Sequence, residues 1–325
     1  MPRGPSFTFS RRRLLQSLAS IAAVSGLASA AWPRDRVRVR IGFQKYGTLI
    51  LLRQRGLLDE RLGSLGARAE WIEFPAGPQL LEAMAAGAVD FGNTGETPPV
   101  FAQAAGVDFV YAAHEPPAPR AEAILVPQDS PILRLADLRG KRVALNKGSN
   151  VHYLLLRALA SAQLRSSEIE PIYLPPADAR AAFERGSVDA WAIWDPYLAA
   201  AEHGANARVL ATAEGLATNR QFYLAERGFA SAHPRETAAV LDSLLELGTW
   251  AKDEPRAVAE MLSVSTGLPV EVLKTAAQRY AYGIRPLDAA TVADQQRIAD
   301  AFAAASLVPG RVDIAAALWD GWQQG

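Results

Sequence analysis

Apolar and polar positions change period repeatedly along this chain. Residues 37–43 alternate valine or isoleucine with arginine before ending in Gly42 and Phe43, the two-residue period of a strand. A loop at 44–48 follows, then a short apolar helix over 49–55 that Gly56 stops. The pattern continues with a strand at 69–74, a helix at 78–86 closed by Gly87, a strand at 89–92, a proline-led helix at 98–105 and a strand at 107–113. Strands alternating with helices predict an α/β fold with a largely parallel sheet covered by helices.

The same order then restarts. Strands are expected at 142–145, 169–174, 188–193 and 208–211, and helices at 150–162, 176–185 and 196–202. Gly87-Ala88-Val89-Asp90 recurs as Gly186-Ser187-Val188-Asp189, 99 positions on, and Lys45 recurs as Lys147, 102 positions on. Nearly equal offsets in separate motifs predict a two-lobed protein built from a repeated unit, although unrelated α/β lobes also share this periodicity. From Pro234 the pattern turns helical, over 235–252, 255–263, 270–281 and 291–304, and these helices are expected to pack back on the first lobe. That needs two crossings between lobes. The extended stretches 121–126 and 221–225 are the candidate crossover strands, and together they would form a hinge. The implied division is 31–121 with 225–325 in one lobe and 122–224 in the other.

The first thirty positions read as a targeting segment rather than as fold. Ser10-Arg11-Arg12-Arg13-Leu14-Leu15-Gln16 resembles a twin-arginine signal, and a mildly apolar stretch leads to Ala28-Ser29-Ala30. Cleavage after Ala30 and a periplasmic location are expected. The alternative, a membrane anchor, is weakened by Gln16, Ser17, Ser20, Ser25, Gly26 and Ser29 within the stretch.

Composition removes several classes of chemistry. The formal net charge is zero, but four of the 34 basic residues, Arg3, Arg11, Arg12 and Arg13, fall in the acid-free first thirty positions. The rest is mildly acidic, which argues against a nucleic-acid partner. There is no cysteine, so disulfides, thiolate catalysis and cysteine-bound metals are excluded. His114, His152, His203 and His233 have no metal-ligand spacing, so no metal and no cofactor is expected. No Gly-x-Ser-x-Gly, Walker loop or dinucleotide fingerprint occurs, which points to a binding protein rather than an enzyme.

Ligands in open α/β sheets lie beyond the carboxyl ends of the strands. That rule selects loops carrying Gln44 and Lys45; Thr94, Gly95 and Glu96; Gly148, Ser149 and Asn150; and Trp194 and Asp195. The turn 93–96 and the start of the helix at 150 would offer N–H groups and small hydroxyls to an anion. Ser149 or Asn150 could equally be a plain helix cap, and so could Asp195 ahead of Pro196. As a ligand group, Asp195 would accept from an ammonium or from Lys45 across the cleft, and Trp194 would stack. The loop 74–78 could add backbone groups, and 115–117 and 219–222 could add to the rim.

These residues resemble the aliphatic sulfonate-binding proteins of bacterial ABC importers. The matching stretches include Ile41-Gly42-Phe43-Gln44-Lys45, the turn 94–99, Phe101-Ala102-Gln103-Ala104-Ala105-Gly106 and, most specific, Val188-Asp189-Ala190-Trp191-Ala192-Ile193-Trp194-Asp195-Pro196-Tyr197. The resemblance implies a two-lobed periplasmic binding protein of type II. It implies a monomer that carries an alkanesulfonate or similar small anion to a membrane permease. Gln44, Thr94, Gly95, Ser149, Trp194 and Asp195 match positions associated with the family's cleft. Glu96, Asn150 and Tyr46 depart from its usual residues, and they lie in the loops that choose the ligand. Taurine, nitrate and thiamine-precursor binding proteins share the fold, as does a sulfinate desulfinase whose nucleophilic cysteine is absent here.

Overall fold

The computed structural model describes residues 36–204 and 206–322, and the expected signal at 1–30 lies outside them. Two five-stranded sheets organise the chain, in the orders β2-β1-β3-β10-β4 and β7-β6-β8-β5-β9. The first contains β1 (Val37–Phe43), β2 (Ala67–Glu73), β3 (Phe91–Gly95), β4 (Phe109–His114) and β10 (Gln221–Glu226). The second contains β5 (Glu122–Pro127), β6 (Arg142–Leu145), β7 (Glu170–Tyr173), β8 (Ala190–Trp194) and β9 (Ala207–Thr212). In each sheet four strands run parallel to one another, and one antiparallel strand, β10 or β5, sits between the third and the last. The sheets are therefore mixed, with one reversed strand each, and otherwise parallel as expected.

The expected crossover strands, 121–126 and 221–225, are these antiparallel strands, each entered directly from a passage between the sheets. Both supposed crossover strands are interior sheet members: β5 pairs with β8 and β9, and β10 pairs with β3 and β4. Gln221 faces Gly95 and Phe222 faces Thr94 in the first sheet, so residues 221–224 do not belong with the second lobe. The chain passes between sheets at 115–121 and again at 213–220. The two passages run side by side, Ala118 donating to the Thr218 carbonyl at 3.0 Å and Ala213 to that of Pro119 at 3.1 Å. Strand propensity marks a segment as extended but does not say which sheet it joins.

Each sheet is packed on both faces. On the first, Val39, Ile41 and Phe43 of β1 point one way, and Leu241, Leu244, Val258 and Leu262 of the helices Pro234–Asp253 and Pro255–Thr266 cover them. The other face meets Phe302 and Ile298 of the helix Ala289–Ala304. The C-terminal helices thus return to the first lobe, as their place after the second crossing requires. A helix at Leu57–Ser64, after the left-handed Gly56, is an element that the pattern did not predict.

The repeat extends to side chains. Arg40 of β1 and Arg142 of β6 each donate N–H and guanidinium hydrogen bonds to an aspartate 47 or 50 residues later, Asp189 or Asp90. In return Asp90 donates its N–H to the Arg40 carbonyl at 2.8 Å and Asp189 to that of Arg142 at 2.9 Å. Burial separates the copies: the Asp90 side chain is 5% exposed and that of Asp189 33%. Asp90→Ala should cost about 1–3 kcal/mol, since it takes the buried acceptor from the Arg40 N–H and from a partly exposed guanidinium, and Asp189→Ala about 1 kcal/mol. Urea denaturation of the two variants compares them, and equal losses would contradict this burial argument.

Candidate functional site

Loops from both sheets and both passages surround one cleft with about 740 Å³ of empty space, its open mouth included. After β1 come Gln44, Tyr46 and Gly47; β3 and its continuation give Asn93, Gly95 and Pro98; the second lobe gives Ser149, Asn150, Trp194 and Asp195. The passages add Glu115, Pro116 and Asn219, and the C-terminal region adds Tyr280 and Ala281. No lysine, arginine or histidine lines the cleft among the described residues.

The lobes touch around the cleft at two polar points. Asn150 opens the helix Asn150–Ser161, and its amide is used at both ends. Its Oδ1 accepts the Thr97 N–H at 3.1 Å, and its Nδ2 donates to Asn219 Oδ1 at 2.8 Å. Gly95 is what admits it, since a Cβ there would lie 2.1 Å from Asn150 Oδ1. The second point is Arg279, last residue of the helix Val270–Arg279 in the C-terminal region. Its Nη1 stands 3.6 Å from Asp195 Oδ1, and its Nη2 donates to Glu202 at 2.6 Å. An apolar patch beside it joins Ala199 and Ala200 to Val272 and Ala276.

Asp195 is 2% exposed. Its Oδ1 caps the following helix by accepting the Ala199 N–H at 2.9 Å, while its Oδ2 has no hydrogen-bond partner among the described residues. Burial pushes the carboxyl up to about 7, against the pull of Arg279. Glu115, 1% exposed, accepts from the Thr48 hydroxyl and from Tyr223 at 2.6 Å, and burial raises its carboxyl too. Ser149 precedes the Asn150 helix, and its hydroxyl donates to the Asn146 carbonyl at 2.7 Å. His152 donates its N–H to the Ser149 carbonyl at 2.9 Å; the N–H groups of Asn150 and Val151, first in the helix, have no acceptor inside it, which leaves them for an anion.

The fold is shared with known proteins. An Escherichia coli (strain K12) protein named as an aliphatic sulfonates-binding protein is 44% identical over 93% of this chain and 95% of its own length. The chain belongs to the aliphatic sulfonate-binding protein family. The wider family described as NMT1/THI5 like matches residues 71–258. The alkanesulfonate-binding protein from Xanthomonas axonopodis pv. citri, solved bound to MOPS, is 42% identical and superposes with a TM-score of 0.83 over 87% of this chain and 98% of its own. A desulfurization enzyme, 18% identical with a TM-score of 0.64 over 87% of this chain and 96% of its own, shares the fold alone.

Within this family fold, six of the ten residues singled out from the sequence line the cleft: Gln44, Gly95, Ser149, Asn150, Trp194 and Asp195. The other four stand elsewhere. Lys45 is exposed and pairs with Glu73 at 3.6 Å, so the cation opposite Asp195 is Arg279 and not Lys45. Thr94 is fully buried, its hydroxyl donating to the Gly95 carbonyl at 3.0 Å. The reason is that β3 runs on through Gly95 where a turn from Asn93 was expected, so Asn93 and Gly95 face the cleft and Thr94 faces away. Glu96, also fully buried, holds the second passage by accepting the N–H groups of Asn219 at 3.0 Å and Arg220 at 2.9 Å. Gly148 adopts φ +72° and donates to His152 Nδ1 at 3.2 Å. That bond needs a neutral ring, and burial holds His152 down to about 4. Arg279 and Tyr280 were not foreseen, because nothing local in a surface-helix pattern says that its last turn reaches a cleft built more than eighty residues earlier.

Proposed function

We propose that this protein is the periplasmic solute-binding component of an ABC importer, capturing an aliphatic sulfonate between its lobes and delivering it to a membrane permease. The observation that carries the reading is the cleft itself, lined from both lobes by amides, hydroxyls and aromatic rings and closed by the Asn150 and Arg279 contacts. A sulfonate keeps its charge at all ordinary pH values and offers three acceptors. The N–H groups of Asn150 and Val151, with Gln44 and Asn93, are the proposed seat for that head, and Trp194 is the proposed wall for its carbon chain. The passages 115–121 and 213–220 are the proposed hinge, since domain closure is absorbed by a few residues between rigid bodies. Export through the segment 1–30 belongs to the same proposal.

Calorimetry with methane- to hexanesulfonate, sulfate and nitrate tests the reading, combined with mass analysis of the ligand afterwards. One equivalent of sulfonate should bind unchanged; release of sulfite, or tighter binding of nitrate than of every sulfonate, would sink it. Trp194→Ala should weaken hexanesulfonate by about 1–2 kcal/mol and methanesulfonate hardly at all, because it removes apolar contact and no charge. The same titrations, run on the variant, check this.

A further inference from the structure

Besides the two polar contacts, the lobes meet through aromatic rings, and a histidine sits among them. His152 lies in the first turn of the helix Asn150–Ser161 of the second lobe. From the first lobe come Phe101 of the helix Pro98–Ala104 and Phe302 of the helix Ala289–Ala304. The imidazole is near-parallel to the Phe101 ring, with 17° between planes and centroids 6.3 Å apart, and it stands 5.5 Å from the Phe302 ring. Tyr153, the next residue, is 5.9 Å from Phe302 and joins the first lobe's buried cluster. From its own lobe Tyr173, at the end of β7, meets the imidazole edge-on at 5.9 Å. His152 is only 7% exposed, and the Phe101 and Phe302 walls belong to the other lobe. It is the closed arrangement that keeps water from this ring.

Its surroundings favour the neutral form. Nδ1 accepts the Gly148 N–H at 3.2 Å, and a protonated ring would set a second donor against that N–H. Lys147, whose ammonium stands 5.4 Å from the Tyr173 ring centroid, is the charged group that acts on the imidazole, and it opposes a second positive charge. Phe101 and Phe302 carry no charge, the other titratable side chains around the ring are Tyr153 and Tyr173, and no carboxylate acts on it among the described residues. Burial, and after it Lys147, holds the ring down to about 4, against about 6.5 for an imidazole in water.

We propose that His152 is a proton-sensitive latch on the closed form: neutral, it seals against Phe101 and Phe302; protonated, it draws in water and parts the lobes, releasing the ligand as the surroundings turn acidic. The proposal concerns closing and does not depend on which anion the cleft takes. When the lobes part, the ring loses both first-lobe walls and takes up a proton near its ordinary value, so protons favour the open form. The contribution of His152 to closing is complete above about 6.5 and is lost as the pH falls from there towards about 4. Asp195 and Glu115 in the cleft, both raised by burial, act in the opposite sense, since acid neutralises carboxyls that closing buries. The effect of His152 is therefore read as a difference between wild type and variant.

Butanesulfonate, whose charge is the same at pH 5 and pH 7, is the probe, titrated calorimetrically into the full mature chain. Between pH 7 and pH 5 the wild type should lose roughly ten- to twentyfold more affinity than His152→Asn, whose amide oxygen can accept the Gly148 N–H and has no proton to gain. Phe101→Ala lets water reach the ring in the closed form as well, and it should remove most of the same difference, so a variant that fails to fold does not end the test. A pH 7 to pH 5 affinity ratio in the wild type equal to that of either folded variant overturns the proposal. If folded wild-type protein does not bind butanesulfonate at pH 7, the sulfonate reading falls, and nuclear magnetic resonance of the unliganded chain decides this inference. A His152 ring titrating near 4 then upholds the sealed imidazole, and one titrating near its ordinary value of about 6.5 overturns it.

Discussion

Gly95→Ala should abolish tight ligand capture while leaving both lobes folded. Gly95 ends β3 in ordinary strand geometry, so alanine suits its backbone. The difficulty is across the cleft, where the new Cβ would lie 2.1 Å from Asn150 Oδ1, 2.3 Å from Nδ2 and 2.4 Å from Cγ. A free side chain would swing aside. Asn150 is 6% exposed and bonded at both ends, to the Thr97 N–H and to Asn219, so moving it breaks both hydrogen bonds and leaves buried partners unmet. The closed form then loses about 2–4 kcal/mol relative to the open form, which is roughly thirty- to thousandfold in affinity for a ligand held only when the lobes meet. Calorimetry reads the affinity, circular dichroism the fold, and small-angle scattering the shift towards an open form. Adding Asn150→Ala to the variant should recover part of the loss, because the clash disappears with the amide. Wild-type affinity in Gly95→Ala would mean that the lobes do not close through this contact.

The same stretch of chain shows what the sequence could and could not reveal. The Gly-x-Val-Asp repeat at 87–90 and 186–189 was readable because it serves local geometry: a left-handed glycine after a helix, then an aspartate that ties down the arginine of the neighbouring strand. Such contacts recur wherever the supersecondary unit recurs. The loops around the site were readable too, since ligands gather at the carboxyl ends of parallel strands. Which side chain within a loop faces the ligand was not readable, because it depends on where a strand ends. With β3 running three residues further than expected, alternation turns Thr94 into the core and presents Asn93 and Gly95. In the loop after β1, Gln44 and Tyr46 line the cleft and Lys45 stands on the surface, an arrangement that no strand period sets.

Glu96 and Arg279 illustrate the other limit. A carboxylate in a polar turn reads as a ligand group, yet Glu96 is consumed by the backbone of a passage over 120 residues away. Arg279 sits at the end of an ordinary amphipathic helix and acquires its meaning only when that helix packs on the second lobe beside Asp195 and Glu202. Partners so distant in sequence are set by tertiary packing, and no periodicity records them.

Glu122→Gln should stabilise the protein, and increasingly so as the pH rises. Glu122 is the first residue of β5, fully buried, paired in register with Trp194. Neither of its carboxyl oxygens has a hydrogen-bond partner among the described residues. Burial holds this carboxyl well above the usual range, and the charge of Glu96, the ionisable group that acts on it, pushes the same way. The folded protein therefore keeps the proton while the unfolded chain gives it up near the ordinary glutamate value of about 4.3. A carboxyl raised in the folded state contributes stability fully below that value, and the contribution is lost as the pH climbs towards the folded value. Each pH unit inside this window costs the wild type about 1.4 kcal/mol. Glutamine has the same shape and no proton to lose, so the stability difference between variant and wild type should widen by that slope. Taking the difference matters, because His114 and His152, both lowered by burial, give the wild type the opposite slope below neutrality, and Asp195, Glu96 and Glu115 add to the first. Those groups are present in both proteins and cancel. Urea denaturation of the pair at pH 6, 7 and 8 gives the slope directly. Parallel curves would show that Glu122 is solvated or paired in the folded protein, and the buried, neutral carboxyl beside the first passage would have to be abandoned.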